Sequence, residues 1–218
     1  MTKNSYDRVW TDFTQLPSIS RAPRGKGTGL VLLIWIQDQK IYDKITQLQT
    51  TIAERHPIDL IPLNALHITI RDMGTITHQT QKTDHIHPDK LSQVQEHLGK
   101  ILPKLASFKA DLERVNSFSI CPFIEVHDNG VVNSIRDAIQ PGLTDLGIPI
   151  DRSTGYLPHL SLGYYTKPED RTMIQEVLSG IREQRIGRIE VSKLSLIKAP
   201  WSEGMFHLEL IQEFSLGQ

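Results

Sequence analysis

Two short segments of the chain repeat one pattern: Leu66-His67-Ile68-Thr69-Ile70-Arg71 and Pro158-His159-Leu160-Ser161-Leu162-Gly163. Each runs histidine, apolar residue, hydroxyl, apolar residue. Successive side chains of a strand point to opposite faces, so His67, Thr69 and Arg71 share one face while Ile68 and Ile70 share the other. His159, Ser161, Gly163 and Tyr165 fall together in the same way. Each strand therefore offers an imidazole and a hydroxyl roughly 7 Å apart, at ~3.3 Å per residue. Two imidazoles around one phosphorus atom suit in-line displacement. One, neutral near its ordinary pKa of about 6.5, takes a proton from the attacking oxygen, and the other, protonated, gives one to the leaving oxygen. The hydroxyls donate to the non-bridging oxygens, where charge shifts in the transition state. This chemistry calls for no metal ion and no cofactor.

A bare His-x-Ser/Thr match carries little information. Nine histidines yield about one such match by chance, and His78-Gln79-Thr80, in a polar stretch without alternation, is of that kind. Requiring apolar residues at the second and fourth positions lowers the chance expectation to roughly 0.15. The pair is informative where either half alone is not.

The elements that must position these strands can be read from periodicity. Residues 29–37 are apolar on both parities and form a strand covered on both faces, with Trp35 in the core. Ile41, Ile45, Leu48 and Ile52 recur at helical spacing before the breaker Pro57. Residues 65–70 form the first motif strand, and the polar stretch 75–89 a long surface loop. Leu91, Val94, Leu98 and Leu102 mark a helix that stops at Pro103. Strands follow over 108–126, then a helix over 131–146 that Pro141 kinks or divides. Residues 157–165 form the second motif strand, 169–181 a helix, 186–197 and 206–214 strands. The motif histidines lie 92 residues apart (159 − 67), which predicts two similar lobes facing each other in an α+β fold, with antiparallel sheets and helices outside. Residues 1–28 are polar and end in the basic, glycine-rich Arg21-Ala-Pro-Arg24-Gly-Lys26-Gly-Thr28. They are expected to be a mobile extension to a single domain over 29–218.

Composition removes several function classes. Lys and Arg total 24 against 25 Asp and Glu, a net charge of −1, so nothing draws the chain to a long nucleic-acid duplex; a small or terminal phosphate remains open. The longest apolar run, 29–36, is far short of the roughly 20 residues of a membrane span. With no apolar segment after Met1 and only Cys121, the expected setting is cytoplasmic and reducing, without disulfides or a multi-cysteine zinc site. His85-Ile-His87 sits in a polar loop with no cysteine nearby and is expected to hold no metal.

The two motifs, one in each half of a chain of this size, resemble the signatures of the 2H phosphoesterases, a family that includes 2′,5′ RNA ligase-like proteins and cyclic phosphodiesterases. The likeness covers most of 29–218. Asn64-Ala-Leu-His67 through Gly74 resembles the first motif segment, Pro158-His159 the second, and Trp201-Ser-Glu-Gly204-Met-Phe206-His-Leu the final hairpin. Ser161 stands where threonine is common, and Phe206 where tyrosine is frequent. The resemblance implies a bilobal, pseudo-twofold α+β domain with a central cleft between two antiparallel sheets. It implies His67 and His159 as the acid–base pair, with Thr69 and Ser161 holding phosphate. Arg71 is a candidate phosphate clamp, and Tyr165 and Trp201 are candidate nucleobase platforms. The implied reaction is metal-independent hydrolysis of 2′,3′-cyclic phosphates or 2′,5′-linked nucleotides and RNA, with 2′,5′ ligation as its reverse. The expected partner is a small nucleotide or RNA end, and the expected state a monomer. A second reading is a non-catalytic nucleotide-binding sensor using the same cleft; the full set of four motif residues favours the enzyme.

Overall fold

In the computed structural model, which describes residues 2–20, 27–79, 82, 84–148, 156–202 and 205–217, the motif strands lie side by side in the middle of one ten-stranded sheet. The elements run α1 (Thr2–Gln15), β1 (Ser18–Ile19), β2 (Gly27–Trp35), α2 (Gln39–Ala53), β3 (Ile58–Leu60), β4 (His67–Ile76), β5 (His85–Ile86), α3 (Leu91–Ile101), β6 (Phe108–Ser117) and β7 (Pro122–His127). They continue through α4 (Val131–Asp145), β8 (His159–Ser161), β9 (Gly163–Tyr165), β10 (Glu169–Asp170), α5 (Arg171–Ile181), β11 (Arg185–Val191), β12 (Lys193–Ser202), β13 (Met205–Phe206) and β14 (Glu209–Ser215).

The strand order β11-β6-β7-β8-β4-β2-β12, with β14 on the far side of β12, mirrors itself about the β8/β4 junction. Each half threads the same way, β2-α2-β4-α3 in one leaf and β7-α4-β8-α5 in the other. This is the expected pseudo-twofold α+β arrangement. The junction consists of one residue pair, Ile68 with Leu160. Strands β11 and β12 stand six positions apart in the order but only Ser192 separates them in the chain. Across a flat sheet six spacings amount to roughly 29 Å, whereas one intervening residue spans about 7 Å. The sheet must therefore bend into two lobes.

The helices form where periodicity and capping agree. Asp38 caps α2 by accepting from the amides of Lys40 and Ile41, and Ile41, Ile45, Leu48 and Ile52 are buried along one stripe. Asp170 caps α5, so that helix starts at Arg171 instead of Glu169. Helix α4 runs through Pro141 without division. The polar 75–89 stretch is shorter as a loop than expected, because β4 extends to Ile76 and β5 pairs beside it. The 186–197 strand is two strands, one in each leaf.

The largest departure from expectation is the N-terminus. Residues 2–15 form α1, and Tyr6 and Phe13 are fully or almost fully buried. The Tyr6 hydroxyl lies between the carbonyl oxygens of Val126 and Pro158 and accepts from the Val126 amide. Asp7 pairs with Arg114 at 2.7 Å, and the Arg182 guanidinium sits over the Trp10 ring, 4.4 Å from its centroid. Tyr6, Trp10 and Phe13, spaced by four and three, are the legible stripe of this helix. The basic residues 21–26 lie outside the described residues. Among the described residues no helix is long and apolar enough to cross a membrane.

Replacing Tyr6 with Ala opens a cavity and strands buried backbone carbonyls, so a loss of about 3–5 kcal/mol in unfolding free energy is expected from denaturant titration. An unchanged midpoint would show that α1 is dispensable to the fold.

Candidate active site

The pairing of Ile68 with Leu160 sets the register of the motifs. One step either way along antiparallel strands places His67 beside Ser161 and Thr69 beside His159. Ile68 and Leu160 are wholly buried, while the four motif side chains on the opposite face are half-buried. The two histidines are diagonal neighbours, with backbone origins roughly 7–8 Å apart. The strands thus meet edge to edge, and a single face carries two imidazoles and two hydroxyls.

Both rings are pinned alike. His67 Nδ1 lies 2.8 Å from the carbonyl oxygen of Ala65, and His159 Nδ1 lies 2.8 Å from that of Leu157. A carbonyl only accepts, so each Nδ1 keeps its proton and Nε2 is the nitrogen left for proton exchange. Burial lowers the pKa of His67, against the opposing pull of the Ala65 carbonyl. Burial lowers that of His159 too, the Leu157 carbonyl opposes it, and the charge of His67 pushes it further down.

The surroundings of the two histidines differ. Phe118 and Phe123, stacked at 4.4 Å between centroids, stand edge-on to His159 at 5.1 and 5.4 Å, and Tyr156 lies 6.1 Å from it. On the other flank Trp35 pairs with His67 across the β2–β4 ladder and shares its face. Trp35 is half-buried and its Nε1 donates to the Asn64 carbonyl at 2.8 Å, so it is a wall of the site and not core. Beside His159 on β7, Glu125 is wholly buried. Burial pushes its carboxyl up, but His127, Arg182 and Asn116 more than reverse this and hold it below its usual value.

Other sequence candidates fare unevenly. Thr69 and Ser161 join the histidines on the half-buried face, and the Ser161 hydroxyl opposes the rise that burial imposes on the Tyr164 and Cys121 pKa values. Arg71 is buried, and a register shift against β2 falls between Thr69 and Arg71. The alternation that would carry Arg71 onto the motif face is broken there. Tyr165 is a correction: it is 1% exposed, its ring against His56 and its hydroxyl on Ser117, and offers no face to a base. Alternation fails because the second motif strand breaks at Leu162, whose carbonyl accepts from the Ile61 amide and the Gln49 side chain. Beyond the break Gly163 admits the close approach of β3, since a Cβ there would lie 2.8 Å from the Asp59 oxygen. The Trp201 side chain lies outside the described residues. His85 bonds the Gln79 carbonyl, and among the described residues no three His, Cys, Asp or Glu gather to hold a metal ion. Sequence reasoning misses Tyr156, Phe118 and Phe123, which reach His159 only through tertiary packing.

A mirrored α+β sheet with paired His-x-Thr/Ser motifs at its centre defines the 2H phosphoesterase class of fold. The family described as the 2′-5′ RNA ligase superfamily matches residues 36–200, about three quarters of the chain, and the chain belongs to that superfamily. Among solved structures it is similar to TT0787 of Thermus thermophilus, at 15% identity and TM-score 0.67, covering 87% of this chain and 99% of that one. It is also similar to E. coli LigT in its apo form, at 12% identity and TM-score 0.64, covering 89% and 100%. E. coli LigT complexed with 3′-AMP gives 12% identity, a TM-score of 0.62 and the same coverage. At these identities the likeness concerns the fold. No curated protein matches the chain.

Stability should carry the mark of these imidazoles. His56, lowered mainly by burial, behaves as His67 and His159 do. Unfolded, all three bind protons near pH 6.5, and folded only below it. In that window the unfolded chain holds more protons, so stability is full above about pH 6.5 and declines as the pH falls below it. The melting temperature should drop between pH 7.5 and 5.5; a flat profile would contradict the assigned environments.

Proposed function

We propose that the chain is a phosphodiesterase that hydrolyses 2′,3′-cyclic phosphates or 2′,5′-linked nucleotides, with His67 and His159 sharing acid and base duties. The observation that carries this reading is the quartet at the β4–β8 junction: two imidazoles with Nε2 free for proton exchange and, beside each, one hydroxyl. With a phosphoryl group set across the diagonal, one Nε2 takes the proton of the water whose oxygen bonds to phosphorus, and the other Nε2 gives its proton to the sugar oxygen whose bond to phosphorus breaks. Thr69 and Ser161 donate to the non-bridging oxygens. A neutral imidazole serves as base at neutral pH, and lowered pKa values favour that form. Anionic phosphate raises the pKa of the ring nearest the leaving oxygen and helps it hold the proton it must give. When a sugar hydroxyl replaces water the same site forms a 2′,5′ bond. Trp35 on one flank and Phe118 on the other supply rings suited to bases or sugars. LigT, of like fold, has been crystallised with 3′-AMP and with ATP, which supports a nucleotide as ligand. The same reading has a small nucleotide or RNA end as partner and a monomer acting in the cytoplasm.

The test is turnover of 2′,3′-cyclic mononucleotides and 2′,5′-linked oligoadenylate in the presence of EDTA. His67→Ala and His159→Ala should each lower kcat by about 10²–10⁴-fold with the fold intact, and Thr69→Val or Ser161→Ala by about 10²-fold. Binding without turnover would replace the enzyme with a nucleotide sensor, and loss of activity in EDTA would call for a metal ion.

The profile of kcat/KM against pH should be a bell, because the free protein must hold one ring neutral and one protonated. Burial moves both titrations downward, so its maximum should lie on the acid side of about pH 6.5. A profile without an acid limb would rule out imidazole as base.

A further inference from the structure

We propose that Tyr156 is a positioning residue that sets the gap between the two imidazoles by tying the backbone of the first motif strand to the histidine of the second. The proposal rests on the phosphodiesterase reading and adds to it what holds the pair in place.

Tyr156 stands three residues before His159 and belongs to the chain that leads into β8. Its hydroxyl donates to the Thr69 carbonyl at 2.6 Å, and its ring packs beside the His159 ring. The ring is itself held. The Arg136 guanidinium of α4 lies 4.0 Å over it and donates to the Ile70 carbonyl at 2.5 Å, while Asn133 Nδ2 donates to the Tyr156 carbonyl at 3.2 Å. Phenol and guanidinium thus grip consecutive carbonyls of β4, at residues 69 and 70, from the leaf that carries His159. Of the three aromatic rings around His159 among the described residues, Phe118 and Phe123 belong to its own leaf and Tyr156 is the one that bonds β4.

Such a tether is needed because the β4–β8 ladder is one pair long. A single pair, with its buried side chains, sets the register but leaves the strands free to splay, whereas in-line transfer requires both rings within hydrogen-bond reach of opposite oxygens of one phosphoryl group. Misplacement by about 1 Å can cost 10²-fold in rate. The tether grips Thr69 itself, so the hydroxyl beside His159 is held by the same bond. A tyrosine whose ring merely packed would have no need of its oxygen; this one commits its proton to the opposite leaf.

The test is Tyr156→Phe, which keeps the ring under Arg136 and beside His159 and removes the bond to Thr69. With a 2′,3′-cyclic mononucleotide as substrate, kcat should fall by roughly ten- to a hundredfold, KM stay within about twofold, and the melting temperature change by no more than a few degrees. Arg136→Lys should show a milder form of the same defect, and the double variant should be no worse than Tyr156→Phe, since both act on one clamp. A second readout needs no turnover. Ring titrations by NMR measure how far His67→Ala raises the His159 pKa, because His67 is the charge acting on His159 across the gap. That rise should be smaller in the Tyr156→Phe background, where the rings stand further apart. Glu125 beside His159, bonded to Arg182 and Asn116, is common to all four proteins. An unchanged kcat, a kcat loss that only follows a loss of folded protein, or an unchanged coupling between the rings would overturn the proposal. If the wild type turns over no substrate while His67→Ala and His159→Ala leave nucleotide binding unaltered, the phosphodiesterase reading fails. The titration then decides alone: weakened coupling supports the tether, and equal coupling refutes it.

Discussion

The pairing of Ile68 with Leu160 is the constraint on which the rest of the molecule depends. Strand side chains alternate, so a slip of one residue at this pair would turn one motif from the open face into the core. With the pair in register, both apolar residues of each motif point inward, and each histidine gains the other motif's hydroxyl as a neighbour. The core therefore selects the same alignment as the chemistry. Ile68, Ile70, Leu160 and Leu162, all wholly buried, specify register through hydrophobic burial, and the polar residues between them inherit their places.

The site shows how far symmetry goes and where it stops. Each imidazole is oriented by the carbonyl two residues before it, each sits half-buried, and each has its pKa lowered by loss of water. Beyond that shell the halves diverge. One ring has Trp35 across its ladder; the other is enclosed by Phe118, Phe123 and Tyr156 and flanked by buried Glu125. Two chemically equal groups in unequal surroundings are a basis for unequal roles, since the groups that face each ring set what its charge costs.

Much of this is readable in one dimension. The motif pattern predicts strands of period two, and their faces follow from it; helical stripes such as Ile41-Ile45-Leu48-Ile52 locate the outer layer. What escapes such a reading is set by contacts remote in the chain. Tyr165 sits in step with His159 on paper, yet Gln49 and Ile61 draw the Leu162 carbonyl out of the ladder and the step is lost. Arg71 is displaced from its pattern by a bulge, which no alternation rule reports. Trp35 lies in an apolar run that reads as core, and only its register against His67 shows it at the site. Helix α1 is obscured because polar residues outnumber Tyr6, Trp10 and Phe13, whose spacing nonetheless marks a buried stripe.

Leaf β11-β6-β7-β8 is drawn from one continuous stretch of chain, whereas β2 and β4 of the other leaf wait for β12, which is made about 160 residues after β2. At ribosomal speeds of about 5–20 residues per second, β2 keeps an open edge for roughly 10–30 s during synthesis. Its edge is apolar, with Leu30, Leu32 and Leu33 all destined for the core, and until Lys193–Ser202 emerges its partner strand on that side is missing. Translation must therefore pass Ser202 before the interlocked halves can close, and a chain cut short of β12 keeps a sticky seam instead of forming an independent half.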